Sequence, residues 1–266
     1  DALPNKSEVL KNGYDDSVTH YTQIDVSAYN SLYKDNAYVG YMYGTIDANT
    51  HAETHANLND SIIKGVIDSW YESHLKNTKY EKYISDTLFC NDRSFDYNNT
   101  GTGAGTSVTY YRWYRLKSNV FLTCSQQNDR FTVNDTEIGN GSLTYPVGLI
   151  TTDEVALAGG YDVANRNYYM FTGNDYWTMS PYAFYNSSAF VRGVHSDGNA
   201  GVNSNVNPEY GVRPVLNLKS GSLIKGTGTA DDPYQVSWPT DSFRWSKENK
   251  EKKMENIEKL WKKIEF

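Results

Sequence analysis

The chain has 266 residues, a formal net charge of -7 and a mean hydropathy of -0.67. That length can bury a sizeable core in one large domain or two modest ones, and the 23 Tyr, 9 Phe and 6 Trp supply its apolar area. An acidic body lacks the positive patch that nucleic acid or an anionic membrane requires. No run approaches the roughly 18 apolar residues of a membrane span, and the sequence does not open on a signal-peptide pattern, so a cytosolic protein or a mature or trimmed fragment is expected.

Residues 1–36 are polar and weakly patterned, and Tyr21 to Val26 reads as an extended lead-in or edge strand. Ala37 to Thr45 alternates β-formers with small residues and is expected to be a strand. A helix follows, capped by Asn59 or Asp60. Its inner face is Ile62, Ile63, Val66, Ile67, Trp70, Tyr71 and Leu75, with Lys64, Asp68, Glu72 and Lys76 opposite. Asn98 to Ser107 is a Gly/Thr/Asn loop leading into the aromatic, strand-like run Val108 to Tyr114. Thr151 and Glu154 are spaced as a capping box for a short helix that Gly159-Gly160 ends.

From Tyr176 to Leu218, two framework-like ends enclose about thirty residues rich in Tyr, Asn, Ser and Gly, a composition shared with antibody paratopes. Turns at Gly226 to Thr229 and Asp231 to Pro233 flank the strand Tyr234 to Val236, so the globular part is expected over 37–238. Residues 239–266 form an appended amphipathic helix. Met254, Ile257, Leu260, Trp261 and Ile264 make its apolar stripe, too short for a free coiled coil, so the helix is expected to dock on the domain, self-associate with another chain or fray, or to be a mere appendage.

The two cysteines, Cys90 and Cys124, either form one disulfide closing a loop of about 35 residues or are two buried thiols; the disulfide is the expectation. Other motifs carry little chemistry. In His51-Ala52-Glu53-Thr54-His55 the Glu is displaced from the zinc-protease position, and the stretch reads as a polar loop. Gly101 to Thr106 lacks the Lys and the helix of a phosphate loop. Asn207-Pro208-Glu209, with Asp197, Asn203 and Asn205 nearby, offers oxygen ligands for calcium, but a Pro-anchored turn explains it equally well. There is no Gly-x-Ser-x-Gly elbow. The expectation is therefore a non-enzymatic protein with no metal and no cofactor.

Five segments in order carry a resemblance: Phe89 to Ser94, Asn128 to Phe131, Tyr145 to Val155, Tyr176 to Pro181 and Gly211 to Leu218. Together they resemble a family of bacterial surface and pilin-like proteins whose fold is similar to the C-type lectin-like domain of formylglycine-generating enzymes and of retroelement-diversified variable proteins. Gly211-Val212-Arg213 resembles the closing Gly-aromatic-Arg strand of the diversified relatives, with Val in the aromatic place, and no Cys follows Cys124 to match the late cysteine pair of the enzymes.

The resemblance implies an α+β, C-type lectin-like fold with a twisted antiparallel sheet, two flanking helices and long loops. It implies an extracellular, cell-surface-attached binding or adhesion protein. Tyr182, Phe184, Tyr185, Asn186, Arg192, His195, Asp197, Asn199, Asn203 and Asn205 are the expected contact residues for a protein or glycan ligand. The alternative is a structural pilus or surface-layer subunit whose loops mediate assembly.

Overall fold

The computed structural model describes residues 23–112, 120–168, 170–220, 222–225, 227 and 235–236. The start of the lead-in, Trp113-Tyr114, most of the turns around Tyr234 and the C-terminal helix at 239–266 lie outside the described residues. The chain divides into two units, Asp1–Lys219 and Ser220–Phe266.

The first unit is mixed α+β and mostly sheet. Its strands are β1 (Asp25–Ala28), β2 (Met42–Tyr43), β3 (Asn59–Asp60), β4 (Phe89–Cys90), β5 (Thr109–Tyr110), β6 (Arg130–Phe131) and β7 (Gly148–Leu149), followed by β8 (Tyr176–Tyr185), β9 (Ser188–Val194), β10 (Val202–Asn205), β11 (Glu209–Val212) and β12 (Pro214–Val215). The six-stranded main sheet runs β1-β11-β8-β9-β10, with β5 also pairing β8. All its pairs are antiparallel except β11 with β8, which meet in parallel at Gly211 and Tyr176. A side chain at Gly211 would strike the Gln23 side chain and the Asp175 carbonyl, so this approach requires glycine.

In the second unit the described strands are β13 (Leu223–Lys225) and β14 (Gln235–Val236), paired antiparallel.

Within the described part of the 1–36 segment the edge-strand alternative applies: β1 lies at the edge of the main sheet, and Tyr29, Asn30, Asp35 and Asn36 are buried. The expected strand at 37–45 is corrected. Asn36–Val39 winds into a 3₁₀ turn because Asp35 caps it, its carboxylate accepting from Ala37 N at 2.8 Å, and only Met42–Tyr43 is extended.

Three helices appear among the described residues: α1 (His51–Thr54), α2 (Ile62–His74) and α3 (Thr152–Leu157). α1 replaces the expected polar loop because the Thr50 hydroxyl caps it, accepting from Glu53 N. α2 is capped by Ser61 rather than Asn59 or Asp60, which β3 commits to pairing with β2. It buries Ile63, Ile67 and Tyr71 as its period demands. Lys64 departs from the expected outer face: its ammonium is buried between Asp60 (3.1 Å) and Asp68 (2.7 Å). α3 carries the capping box read from Thr151 and Glu154, and Gly159 ends it with φ +98°.

The two look-alike motifs meet. β4 pairs antiparallel with β6, Cys90 is disulfide-bonded to Cys124, and the Arg93 guanidinium reaches Asp129 at 2.7 Å with both side chains buried. A disulfide and a dry ion pair thus fasten two strands of only two residues each.

Candidate binding site

The stretch expected to display loops is instead the middle of the main sheet. Asn186 and Ser187 both adopt positive φ (49° and 58°), which matches the twist of a two-residue hairpin and folds β8 directly back on β9. Tyr182 to Tyr185 and Phe190 to Arg192 are therefore strand residues.

One face of β5, β8, β9 and β10 carries a row of half-buried rings. Ala183 lies in register between Tyr110 and Phe190, and its small side chain leaves a gap on that face. The Tyr185 ring fills it, near-parallel to Phe190 (4.5 Å between centroids, 19°) and to Tyr110 (5.9 Å, 19°). Simple alternation would send Tyr182 to the core with Phe184. The register instead steps two residues on β8, from Pro181 to Ala183, against one on β9, from Val191 to Phe190, so Tyr182 is the extra residue of a β-bulge. Pro181, which has no N–H to give to a ladder, sits at this irregularity. The Tyr182 ring turns edge-on to Tyr110 (6.4 Å) and Tyr185 (6.3 Å) and lies over the Arg192 guanidinium at 4.8 Å. Burial raises the Tyr182 hydroxyl pKa, and the Arg192 charge opposes the rise.

β10 lines the same face with amides. Asn203 pairs with Arg192 and Asn205 with Phe190; the Asn203 amide nitrogen donates to the Tyr185 hydroxyl at 3.4 Å, and Asn205 Oδ1 has no hydrogen-bond partner among the described residues. Asn186 stands exposed at the hairpin tip. Rings, hydroxyls and amides without a carboxylate suit a surface that reads hydrogen-bonding groups.

The other expected contact residues lie elsewhere. Phe184 is 1% exposed and opposite Thr109 on the core side, because the bulge restores the inward parity after Tyr182. Arg192 is 4% exposed, its NH1 donating to Gly201 O at 2.6 Å, so its charge lies beneath the rings and not on the surface. His195 belongs to the opposite face. Its Nε2 is 3.2 Å from the Tyr210 hydroxyl, Tyr210 stacks on Trp177, and a side chain at Gly193 would touch the Tyr210 ring. Asp197 and Asn199 turn their side-chain oxygens to their own turn, accepting from Asn199 N and Gly201 N. Asn207 to Glu209 is exposed where β10 turns into β11.

Among the described residues no three His, Cys, Asp or Glu side chains are placed to share a metal ion. Likewise, no helix of the described residues is long and apolar enough to cross a membrane. Tyr110 and Phe190 were not among the expected contacts. Tyr110 is signalled by its place in the aromatic run Val108 to Tyr114, and Phe190 by its alternation with Ala189 and Val191.

These features define a mixed α+β unit with an aromatic and amide sheet face. Residues 131–220 match a family model described as a domain of unknown function (DUF6273), which covers β7 through β12 and so three of the four strands of that face. No curated protein and no solved structure matches the chain.

Proposed function

We propose that the chain is a non-enzymatic binding or adhesion protein of the extracellular surface, and that its contact face is the Tyr110, Tyr182, Tyr185 and Phe190 row with Asn186, Asn203 and Asn205. The ring row carries this reading: large aromatic side chains held half-exposed on a rigid sheet offer contact area at little rotamer cost, with adaptable amides beside them. The scaffold reading is a C-type lectin-like fold. It is supported by an antiparallel sheet whose first strand pairs with one from the far end of the unit, by the flanking helices α2 and α3, and by long irregular connections. The disulfide fits an oxidising compartment.

The test is an array of purified glycans and surface proteins probed with the parent chain and with a Tyr182→Phe/Asn186→Gly/Asn203→Ser variant, which keeps the ring over Arg192 and a residue suited to positive φ at 186, alongside thermal melts of both. The expected result is a ligand bound by the parent and lost by the variant at a nearly unchanged melting temperature. Equal binding by both proteins removes the face from consideration and leaves assembly as a pilus or surface-layer subunit as the competing role.

A further inference from the structure

A second cluster, between α1 and the end of β5, is independent of the binding face. His51 and His55 sit one helical turn apart at α1, their ring centroids 4.5 Å from each other, and His51 meets Phe95 edge-on at 5.0 Å. His55 is 1% exposed. The Tyr111 hydroxyl donates to Asn36 Oδ1 (2.8 Å), so its oxygen accepts from His55 Nε2–H (3.1 Å), which assigns the neutral tautomer. Nδ1 then lies toward the Gly103 carbonyl and completes no hydrogen bond.

The same network holds down the loop between Phe95 and Thr109. Asn36 Nδ2 donates to Gly105 O (2.9 Å) and Ser107 O (2.7 Å), Asn36 N donates to Gly105 O (2.9 Å), and Gly103, at φ +68°, packs where a side chain would strike His51 and Phe95. Gly101, Gly103 and Gly105 make this loop costly to order, so it opens more easily than the sheet beneath.

The titratable and charged groups around the His55 ring are His51 on α1, Arg93 after β4, Asp129 ahead of β6, Tyr111 after β5 and, bearing on Tyr111, Asp35 ahead of the 3₁₀ turn. Asp129 is already engaged by Arg93. A proton on His55 Nδ1 would meet the Gly103 carbonyl, which offsets only part of the burial cost, and would place a second cation beside Arg93 in a dry site with no free carboxylate.

We propose that the loop over 96–108 is an acid-released latch, held shut by the neutral His51–His55 pair and freed when the pair takes up protons. Burial, with Arg93 adding repulsion, holds both imidazoles below their ordinary range while the latch is shut. The linkage has one sign. The closed form is fully favoured above the ordinary imidazole pKa of about 6.5, and its advantage falls about tenfold per pH unit per histidine below that value.

Hydrogen–deuterium exchange on the full chain, corrected for the intrinsic pH dependence, tests this. Peptides across 97–109 are expected to lose protection about thirtyfold between pH 6.5 and 5.5, roughly five- to sixfold from each histidine, while β8 and β9 peptides hold theirs. The His55→Gln variant, whose amide still donates to Tyr111 without titrating, is expected to keep only the smaller, roughly fivefold loss owed to His51. Should that variant fail to fold, the imidazole Cε1–Hε1 resonances of the unaltered chain decide. Coupling of His55 protonation to loop opening supports the latch. Titration of His55 in place with loop protection unchanged overturns it, as does acid-induced loss spread equally over the sheet.

Discussion

The Arg93–Asp129 pair sets the largest single-residue effect expected in the first unit. Arg93 is fully buried and Asp129 nearly so. Asp129 accepts from Arg93 Nε and from Arg93 N, both at 2.7 Å, while the guanidinium also donates to Met42 O (3.0 Å), Asn57 Oδ1 (3.0 Å) and Asn128 O (3.2 Å). Replacing Arg93 by Met strands a carboxylate in a dry site and frees three acceptors, a loss of about 3–5 kcal/mol. With an unfolding entropy of about 2.1 cal/mol/K per residue over roughly 200 residues, that lowers the melting temperature by about 7–12 °C. Asp129→Leu strands the cation instead and is expected to cost a similar amount. The Arg93→Met/Asp129→Leu double variant removes both charges, so its cost should fall well short of the sum. The assay is a double-mutant cycle by urea denaturation at pH 7. Additive losses, or single losses under about 1 kcal/mol, would refute the claim that each charge is buried for the sake of the other.

Two further outcomes are expected from the same framework. Reducing and alkylating Cys90–Cys124 releases a loop with a sequence separation of 34, which the chain-entropy relation values at about 4 kcal/mol; calorimetry of oxidised and reduced protein should show a drop of roughly 9 °C, and coincident melts would contradict the bond's role. At the hairpin tip, Ser187 holds φ +58°, where a side chain is strained, so Ser187→Gly is expected to stabilise by about 0.5–1 kcal/mol in urea titrations, whereas destabilisation would count against the turn as described.

What the sequence disclosed was local. The capping box at Thr151, the period of α2 and the turn residues after α3 each lie within a few positions of the structure they cause, and each is found where those residues place it. The binding face was legible only in part, because strand parity is a local signal that one inserted residue reverses. Tyr182 reaches the outer face through a bulge, and Phe184 returns to the core two positions later. Arg192 illustrates a second limit: its charge suggests the surface, but a ring above it and a carbonyl beside it make burial tolerable, and neither neighbour is close in sequence.

The repeated Asp-Arg dipeptide shows the same division most clearly. Asp92-Arg93 and Asp129-Arg130 look interchangeable, and antiparallel pairing of β4 with β6 brings the two copies together. A symmetric exchange of partners would pair Arg130 with Asp92. Instead Arg130 Nε donates to Cys124 O at 2.7 Å, and Asp92 takes Arg112 at 3.3 Å. Only Arg93 finds Met42 O, Asn57 and Asn128 around it, and those acceptors come from β2, the segment after α1 and the 3₁₀ turn Gln127–Asp129. Identical dipeptides therefore acquire different roles because the interior supplies enough acceptors for one guanidinium, and that asymmetry belongs to the packing of distant segments.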